Sequence, residues 1–304
     1  MHLRWSVLVL VLGCTDPAGS TSSDEPLPTL IHSDASTPPA SASVWIDVDM
    51  GTWFGCGIRP GGSVECWGLD DSGQTSAPEG VFLELSSGSG HTCGVREDLE
   101  VVCWGMSTEH RLAVPDHAMA HVGVGGHHSC GIETQQQRVA CWGRDQYGRT
   151  HAPQDSGFLQ VSAGGEFTCG IRLDQTLACW GDPRYGVTEP PPGSFSKVSS
   201  GKEHACALRS DGAVLCWGHD TSGEVVDAPT GLGFLDVGAA QEHSCALTAG
   251  GEIECWGSAE DGVLEAPPGP FSGVRIARYT SCGLRPDGQL VCWGDDSEGQ
   301  ASPP

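Results

Sequence analysis

One motif, repeated seven times, constrains this chain more than any other feature. Its clearest copy is Cys206-Ala-Leu-Arg-Ser-Asp-Gly-Ala-Val-Leu-Cys-Trp-Gly218. It reads as two short strands around a Ser-Asp-Gly turn, with a cysteine on each strand and Trp-Gly after the second. The cysteine pairs are Cys56/Cys66, Cys93/Cys103, Cys130/Cys141, Cys169/Cys179, Cys206/Cys216, Cys245/Cys255 and Cys282/Cys292. Successive second cysteines lie 37, 38, 38, 37, 39 and 37 residues apart. A fixed period of that length marks an array or a propeller. It overrides what 304 residues would otherwise allow, which is one large all-β domain or two ordinary ones.

Each repeat opens on an alternating segment, as in Phe195-Ser-Lys-Val-Ser-Ser-Gly201, Phe82-Leu-Glu-Leu-Ser-Ser-Gly88, Phe158-Leu-Gln-Val-Ser-Ala-Gly164 and Phe234-Leu-Asp-Val-Gly238. Alternation predicts a strand. The hairpin turns at Pro60-Gly61-Gly62, Asp211-Gly212, Gly250-Gly251 and Asp287-Gly288 supply strong turn chemistry. The third repeat carries one extra residue at Gln135-Gln136-Gln137, read as a bulge or a longer loop. Repeats close on proline, from Ala77-Pro78 to Pro303-Pro304, which blocks further ladder pairing. An open solenoid needs atypical capping repeats, and neither end has one. Residues 44–304 therefore predict an all-β fold, a closed seven-bladed β-propeller.

Fifteen cysteines exceed what a reducing cytosol would keep. Fourteen fall into the seven pairs, and Cys14 stands alone. Residues facing each other across a non-hydrogen-bonded antiparallel site have Cα atoms about 4.5 Å apart, within disulfide range. Each such bridge would stabilise the fold by roughly 2–3 kcal/mol. Metal binding is the sharper alternative, since His-x-Cys plus a second cysteine offers three ligands. Yet only His91, His128, His204 and His243 hold that place, while Phe54, Phe167 and Thr280 fill it elsewhere and keep their cysteines. One intra-blade hairpin disulfide per repeat is the reading adopted, with no metal and no cofactor. The seven tryptophans after the second cysteines, Trp67 to Trp293, alternate away from the disulfide and should pack on the neighbouring blade.

Residues 1–13 read as an export signal: Arg4 supplies positive charge and Ser6 to Leu12 a short apolar run. That run is too short to span a bilayer, which takes about 20 residues. Val11-Leu12-Gly13-Cys14 resembles the lipobox of bacterial lipoproteins, which implies lipidation of Cys14 and an envelope location, with outer-membrane anchoring expected. Leu12 is bulkier than the residue usual there. Residues 14–43, rich in Ser, Thr, Pro and Asp, bury too little apolar surface to fold and read as a disordered tether.

Thirty-nine acidic side chains against 15 basic ones give a formal net charge of −24. That excludes nucleic acid, which is held by basic groups, and excludes anionic lipid as a partner of the protein surface. The membrane is then reached only through the N-terminal lipid.

From Gly201 to Gly218 the pattern Gly-x-x-His-x-Cys-Ala-Leu-x-x-Asp-Gly-x-x-x-Cys-Trp-Gly closely resembles the regulator of chromosome condensation repeat, in the cysteine-rich form carried by exported bacterial proteins. The resemblance spans 44–304 and implies a seven-bladed propeller. It also implies that the recurring His packs inside its blade and bonds to backbone. It implies no single activity, because relatives include an exchange factor, a photoreceptor and an enzyme inhibitor. The photoreceptor's Gly-Trp-Arg-His-Thr motifs are missing here.

No Gly-x-Ser-x-Gly elbow, His-Glu-x-x-His or phosphate loop is present, so no catalytic residue is nominated. Asp47-Val-Asp-Met-Gly51 has two of a calcium loop's carboxylates but aligns with a first strand. The loops before each first cysteine are equivalent in every blade and should ring one face of the channel. Their variable members, Trp53, Phe54, His127, Glu166, Phe167, Glu203, Glu242, Arg278 and Tyr279, form the candidate binding face. The expectation is an exported, lipid-anchored, non-catalytic module that binds another protein there. Carbohydrate is the alternative partner, and a channel-mouth enzyme the third reading.

Overall fold

The computed structural model describes residues 44–304. The expected signal, Cys14 and the tether lie outside the described residues. The propeller is as expected: seven three-stranded antiparallel sheets, one per repeat, each formed by consecutive strands. Blades are numbered here in chain order. Their inner strands are Asp47–Met50, Phe82–Ser87, Met119–Val124, Phe158–Ala163, Phe195–Ser200, Phe234–Ala239 and Gly273–Ile276. The segment Asp47–Met50 is thus the first strand and no calcium loop.

The middle and outer strands form the cysteine hairpin. In blade 5 these are His204–Arg209 and Val214–Gly218, with Cys206 opposite Cys216. All seven expected pairs are bonded: Cys56–Cys66, Cys93–Cys103, Cys130–Cys141, Cys169–Cys179, Cys206–Cys216, Cys245–Cys255 and Cys282–Cys292, with Cα atoms 4.0–4.1 Å apart. The turns use left-handed backbone where expected, at Gly62, Gly212, Gly251 and Gly288. The third repeat absorbs its extra residue in the turn, where Gln136 and Gln137 are both left-handed, and Cys130–Cys141 still closes.

The two cysteines of each pair differ in burial. The first cysteines, Cys56, Cys93, Cys130, Cys169, Cys206, Cys245 and Cys282, sit on middle strands and are fully buried. Their partners, Cys66, Cys103, Cys141, Cys179, Cys216, Cys255 and Cys292, sit on outer strands and are only partly buried. A middle strand is flanked on both edges within its blade, whereas an outer strand has one edge unpaired. Each bridge therefore ties a core position to the rim of its blade.

The core lies between blades rather than within them. Each of seven apolar clusters joins two neighbours, as where Phe54, Cys56 and Ile58 of blade 1 meet Phe82, Leu85 and Trp104 of blade 2. The partly buried Cys66 packs against the edge of that cluster, as Cys103, Cys255 and Cys292 do against theirs. No blade buries its apolar faces alone, so each depends on both neighbours. The tryptophans pack across these seams as the alternation predicted. Each indole N–H also donates to a main-chain carbonyl on the preceding blade's outer segment: Trp104 to Gln74, Trp142 to Arg111, Trp180 to Arg149, Trp217 to Val187, Trp256 to Glu224 and Trp293 to Val263, at 2.8–3.1 Å.

Trp67 of blade 1 completes the circle by donating to Gln300 of the C-terminal segment at 2.9 Å. The ring therefore closes without the ends sharing a sheet. Trp45, the counterpart of Phe82 and Phe158, bonds Gly288 through its main-chain N–H and carries Arg59 over its ring at 3.4 Å.

Candidate binding face

The recurring histidines are not bonded as expected. Each reaches across the seam to a hydroxyl of the next blade: His91 to Ser129 (2.9 Å), His128 to Thr168 (2.6 Å), His204 to Ser244 (2.8 Å) and His243 to Ser281 (3.0 Å). Burial pushes these imidazoles down to about 3 for His91, His128 and His243 and about 4 for His204, so all are neutral. Each pair has the composition of a Ser–His dyad, but every member is at most 1% exposed and no substrate can reach it. They are fasteners between blades.

The blades without this histidine follow the same logic. After Phe167 the next blade has Ala205 at the hydroxyl position, and after Thr280 it has Gly55, so no hydroxyl is stranded there. After Phe54 it has Thr92, whose hydroxyl bonds Ser87 at 3.0 Å instead.

The channel carries a belt that the sequence reading missed. Inner-strand side chains reach over to the next inner strand's main chain. Glu84 accepts from Val122, Asp236 from Val274 and Asp49 from Ser87, while Gln160 both donates to and accepts from Val198. Arg275 closes the belt onto Val48 and Asp47 of blade 1, and Asp236 bonds Lys197. Inner strands are sheet edges whose main-chain groups would otherwise need water, and these side chains satisfy them. Burial raises Asp49 to about 6. Burial disfavours a charged His121, but the Glu84 carboxylate 2.6 Å away holds its pKa above the ordinary value. Part of the signal was present, since Glu84, Gln160 and Asp236 each lie two positions after an opening phenylalanine, but they read in sequence as ordinary alternation.

Above the belt the channel opens into a cavity of about 470 Å3, ringed by the loops predicted to meet there. The structure brings His127, Glu166, Glu203 and Arg278 together at this mouth. Arg111 donates to Nδ1 of His127 at 2.7 Å and to Glu109 at 2.7 Å, and burial lowers the His127 pKa. Glu166 pairs with the fully buried Arg149, which also donates to the Gly165 carbonyl. Lys202 and Arg278 have no ion pair among the described residues. Trp53 stacks on Tyr279 across the seam between blades 1 and 7, with centroids 4.2 Å apart, and Arg278 lies 4.5 Å above the Tyr279 ring. Glu242 and Tyr279 border a neighbouring niche of about 60 Å3.

Two candidates must be withdrawn. Phe54 and Phe167 are each 1% exposed and begin middle strands, with their side chains in the inter-blade core. The sequence reading places them in the loop before the first cysteine, but the middle strand already begins at each of them, two residues before Cys56 and Cys169.

The mouth loops are also tied to one another, and unevenly. Ser89 donates to Gly125, Gly126 to Gly164, Gly165 to Gly201 and Lys202 to Ala240, a run of main-chain bonds from blade 2 to blade 6. A Cβ on Gly88, Gly125, Gly164 or Gly201 would stand 2.0–2.4 Å from the next blade's carbonyl oxygen. In blades 6 and 7 this position is Ala240 and Ala277, and there the run stops.

Fold and mouth together define a seven-bladed propeller of disulfide-stapled hairpins. Residues 158–187, 195–224 and 278–300 match the family model for the Regulator of chromosome condensation (RCC1) repeat. These stretches are RCC1-type repeats, here in a cysteine-rich form. The chain is similar to the ectodomain of the Physcomitrella patens receptor kinase CR4 (26% identity, TM-score 0.71, covering 82% of this chain and 72% of that one). It is also similar to the CRINKLY WD40 ectodomain of the Arabidopsis thaliana receptor kinase ACR4 (25%, 0.70, 83% and 97%). Prp20p from Saccharomyces cerevisiae shares the fold (15%, 0.63, 74% and 74%). No match was found among curated proteins.

Proposed function

We propose that this protein is an exported, lipid-anchored, non-catalytic propeller that binds another protein through the mouth face. The observation that carries this is the Trp53–Tyr279–Arg278 cluster at the seam of blades 7 and 1. Trp, Tyr and Arg are the residue types that dominate protein–protein binding energy. The cluster sits on a rigid, stapled scaffold, which lowers the ordering cost of association. Prp20p, of the same fold, has described binding properties to Gsp1p and histones. Carbohydrate gains less support, because the Tyr279 ring is already stacked against Trp53 and faced by Arg278, and the cavity itself has no Trp, Tyr or Phe among its lining residues.

The test is retention of an envelope protein on oxidised residues 44–304, compared with W53A and Y279A variants of unchanged melting temperature. A protein held stoichiometrically by the native chain and lost from both variants supports the reading. Equal retention by all three rejects this face. Lipid anchoring is tested separately, by incorporation of labelled fatty acid into the full chain and its loss in Cys14→Ala.

A further inference from the structure

The face opposite the mouth carries a second, apolar ring. At the lower end of the inner strands of blades 2 to 6, the ladder to the middle strand shifts and one residue is left out of register. In blades 2, 4 and 6 that residue is Leu83, Leu159 or Leu235. Ile46 holds the same place in blade 1, just before Asp47. These four side chains are 49–62% exposed. The inner strands surround the channel, so equivalent positions at their lower ends encircle its far opening.

What the fold itself asks of this position is visible where it is serine. Ser196 and Ser272 donate to the carbonyls of Leu208 and Leu284, at 3.3 and 3.0 Å. Leucine and isoleucine cannot make that bond, and here they stand in water. Single exposed apolar side chains are ordinary, but a ring of equivalent ones marks a contact surface.

The surroundings indicate the occupant. Four arginines of this face are already paired: Arg59 with Glu65, Arg96 with Glu100, Arg172 with Asp155 and Arg209 with Asp211. Glu79, Glu97, Asp98, Asp174, Glu252 and Asp287 have no ion pair among the described residues. Arg138 and Arg285, at the same hairpin turns, are likewise without an ion pair among the described residues, so the apolar ring sits inside a rim whose balance is negative rather than wholly acidic. A second copy of this chain, with net charge −24, would meet that rim with like charge, and an anionic membrane would do the same.

We infer that the ring Ile46, Leu83, Leu159 and Leu235 docks a cationic amphipathic segment of a partner protein. Apolar side chains of that segment meet the ring, and its Lys or Arg side chains meet the rim. This site is separate from the mouth face and does not rest on the reading given for it.

The probe is a helix-forming peptide of leucine and lysine, about 18 residues or five turns long, with its leucines on one face. A second peptide has the same composition with the leucines dispersed. Binding to oxidised 44–304 is followed by fluorescence anisotropy at physiological salt. The variant is Leu83→Ser, Leu159→Ser and Leu235→Ser combined, which installs the residue that blades 5 and 7 already carry and keeps the fold. The expected result is a loss of roughly tenfold or more in affinity, at unchanged melting temperature, from removal of the apolar contact. The dispersed peptide should bind weakly and Tyr279→Ala should have no effect. Equal affinity of the triple variant, equal affinity of the two peptides, or no binding to the native chain would each overturn the proposal. So would a dimer in light scattering that the triple variant abolishes, since the occupant would then be a second copy.

Discussion

Changing Thr168 to alanine should cost far more than one exposed hydroxyl is worth. Thr168 is fully buried, and its hydroxyl is the partner of Nε2 of His128 at 2.6 Å. Removing it strands a buried imidazole nitrogen, which costs about 1–3 kcal/mol. Replacing His128 by phenylalanine alone strands the Thr168 hydroxyl at a similar cost. No other hydroxyl rescues it, because the position that Ser87 fills for Thr92 in blade 2 is Ala163 in blade 4, and the Cys130 sulfur 3.7 Å away is only a weak acceptor. The double change, His128→Phe with Thr168→Ala, recreates the Phe167–Ala205 arrangement one seam further on. It should be close to neutral, so the two single costs should fail to add by nearly their whole sum, at least about 2 kcal/mol. The assay is guanidinium unfolding with disulfides intact, read by tryptophan fluorescence. In a chain of this size each kcal/mol also moves the melting temperature by roughly 2–4 °C. If the double mutant lost the sum of the single losses, the hydroxyl pairing would be incidental and the account of the seams wrong.

Acid should loosen the ring before it reaches the carboxylates. His91, His128, His204 and His243 are held at about 3–4 in the fold, below the ordinary 6.5, so the unfolded chain takes up protons first and stability falls as pH drops below about 6.5. Asp49, raised to about 6, works the other way between about pH 4 and 6, because there the native state holds the extra proton. The net of about three protons predicts a loss of about 4 kcal/mol per pH unit between pH 6 and 4. A melting temperature flat across that range would refute it. Replacing Cys169 and Cys179 by serine should lower stability by roughly 2–3 kcal/mol, measured by the same unfolding assay, because the hairpin's unfolded chain is released.

The period, the cysteine facing and the tryptophan direction were legible because each is local, needing only strand alternation and a turn. Most of what joins the blades was not. The unequal burial of Cys56 and Cys66, or of Cys245 and Cys255, depends on which hairpin strand lies between two others, and the hairpin alone does not say. The His128–Thr168 bond spans 40 positions, and its partner is only the residue before the next blade's first cysteine. Read around the ring, the rule was available: Ser or Thr follows each histidine blade, and Ala205 follows Phe167. Within one repeat, the same residues look like drift. The channel belt hid for a similar reason, since Glu84, Gln160 and Asp236 are polar residues in an alternating strand and differ from one blade to the next. Phe54 and Phe167 misled in the opposite direction, because their variability resembles that of a surface loop while their side chains fill the core.

The glycine run at the mouth leads to a prediction about where the ring gives way. Gly88, Gly125, Gly164 and Gly201 each let a neighbouring carbonyl approach to where a Cβ would sit, and main-chain bonds follow from blade 2 to blade 6. At Ala240 and Ala277 the methyl group occupies that space, so no main-chain bond ties the mouth loops of blades 6, 7 and 1 to one another, and blades 7 and 1 meet there through side chains. Gly51 does not restore the contact, because the Phe54 ring fills the same volume. The open arc is therefore fixed by three side chains, and it is the arc that carries Trp53, Arg278 and Tyr279. In native-state hydrogen exchange the amides of Gly126, Gly165 and Lys202 should be protected, while those of Thr52, Gln241 and Arg278 should exchange quickly. Gly164→Ala should then push Gly165 into the fast group, because its methyl would stand 2.4 Å from the Gly201 oxygen. If Gln241 and Arg278 were as protected as Gly165, the ring would be uniform, and the aromatic cluster would owe nothing to a looser seam.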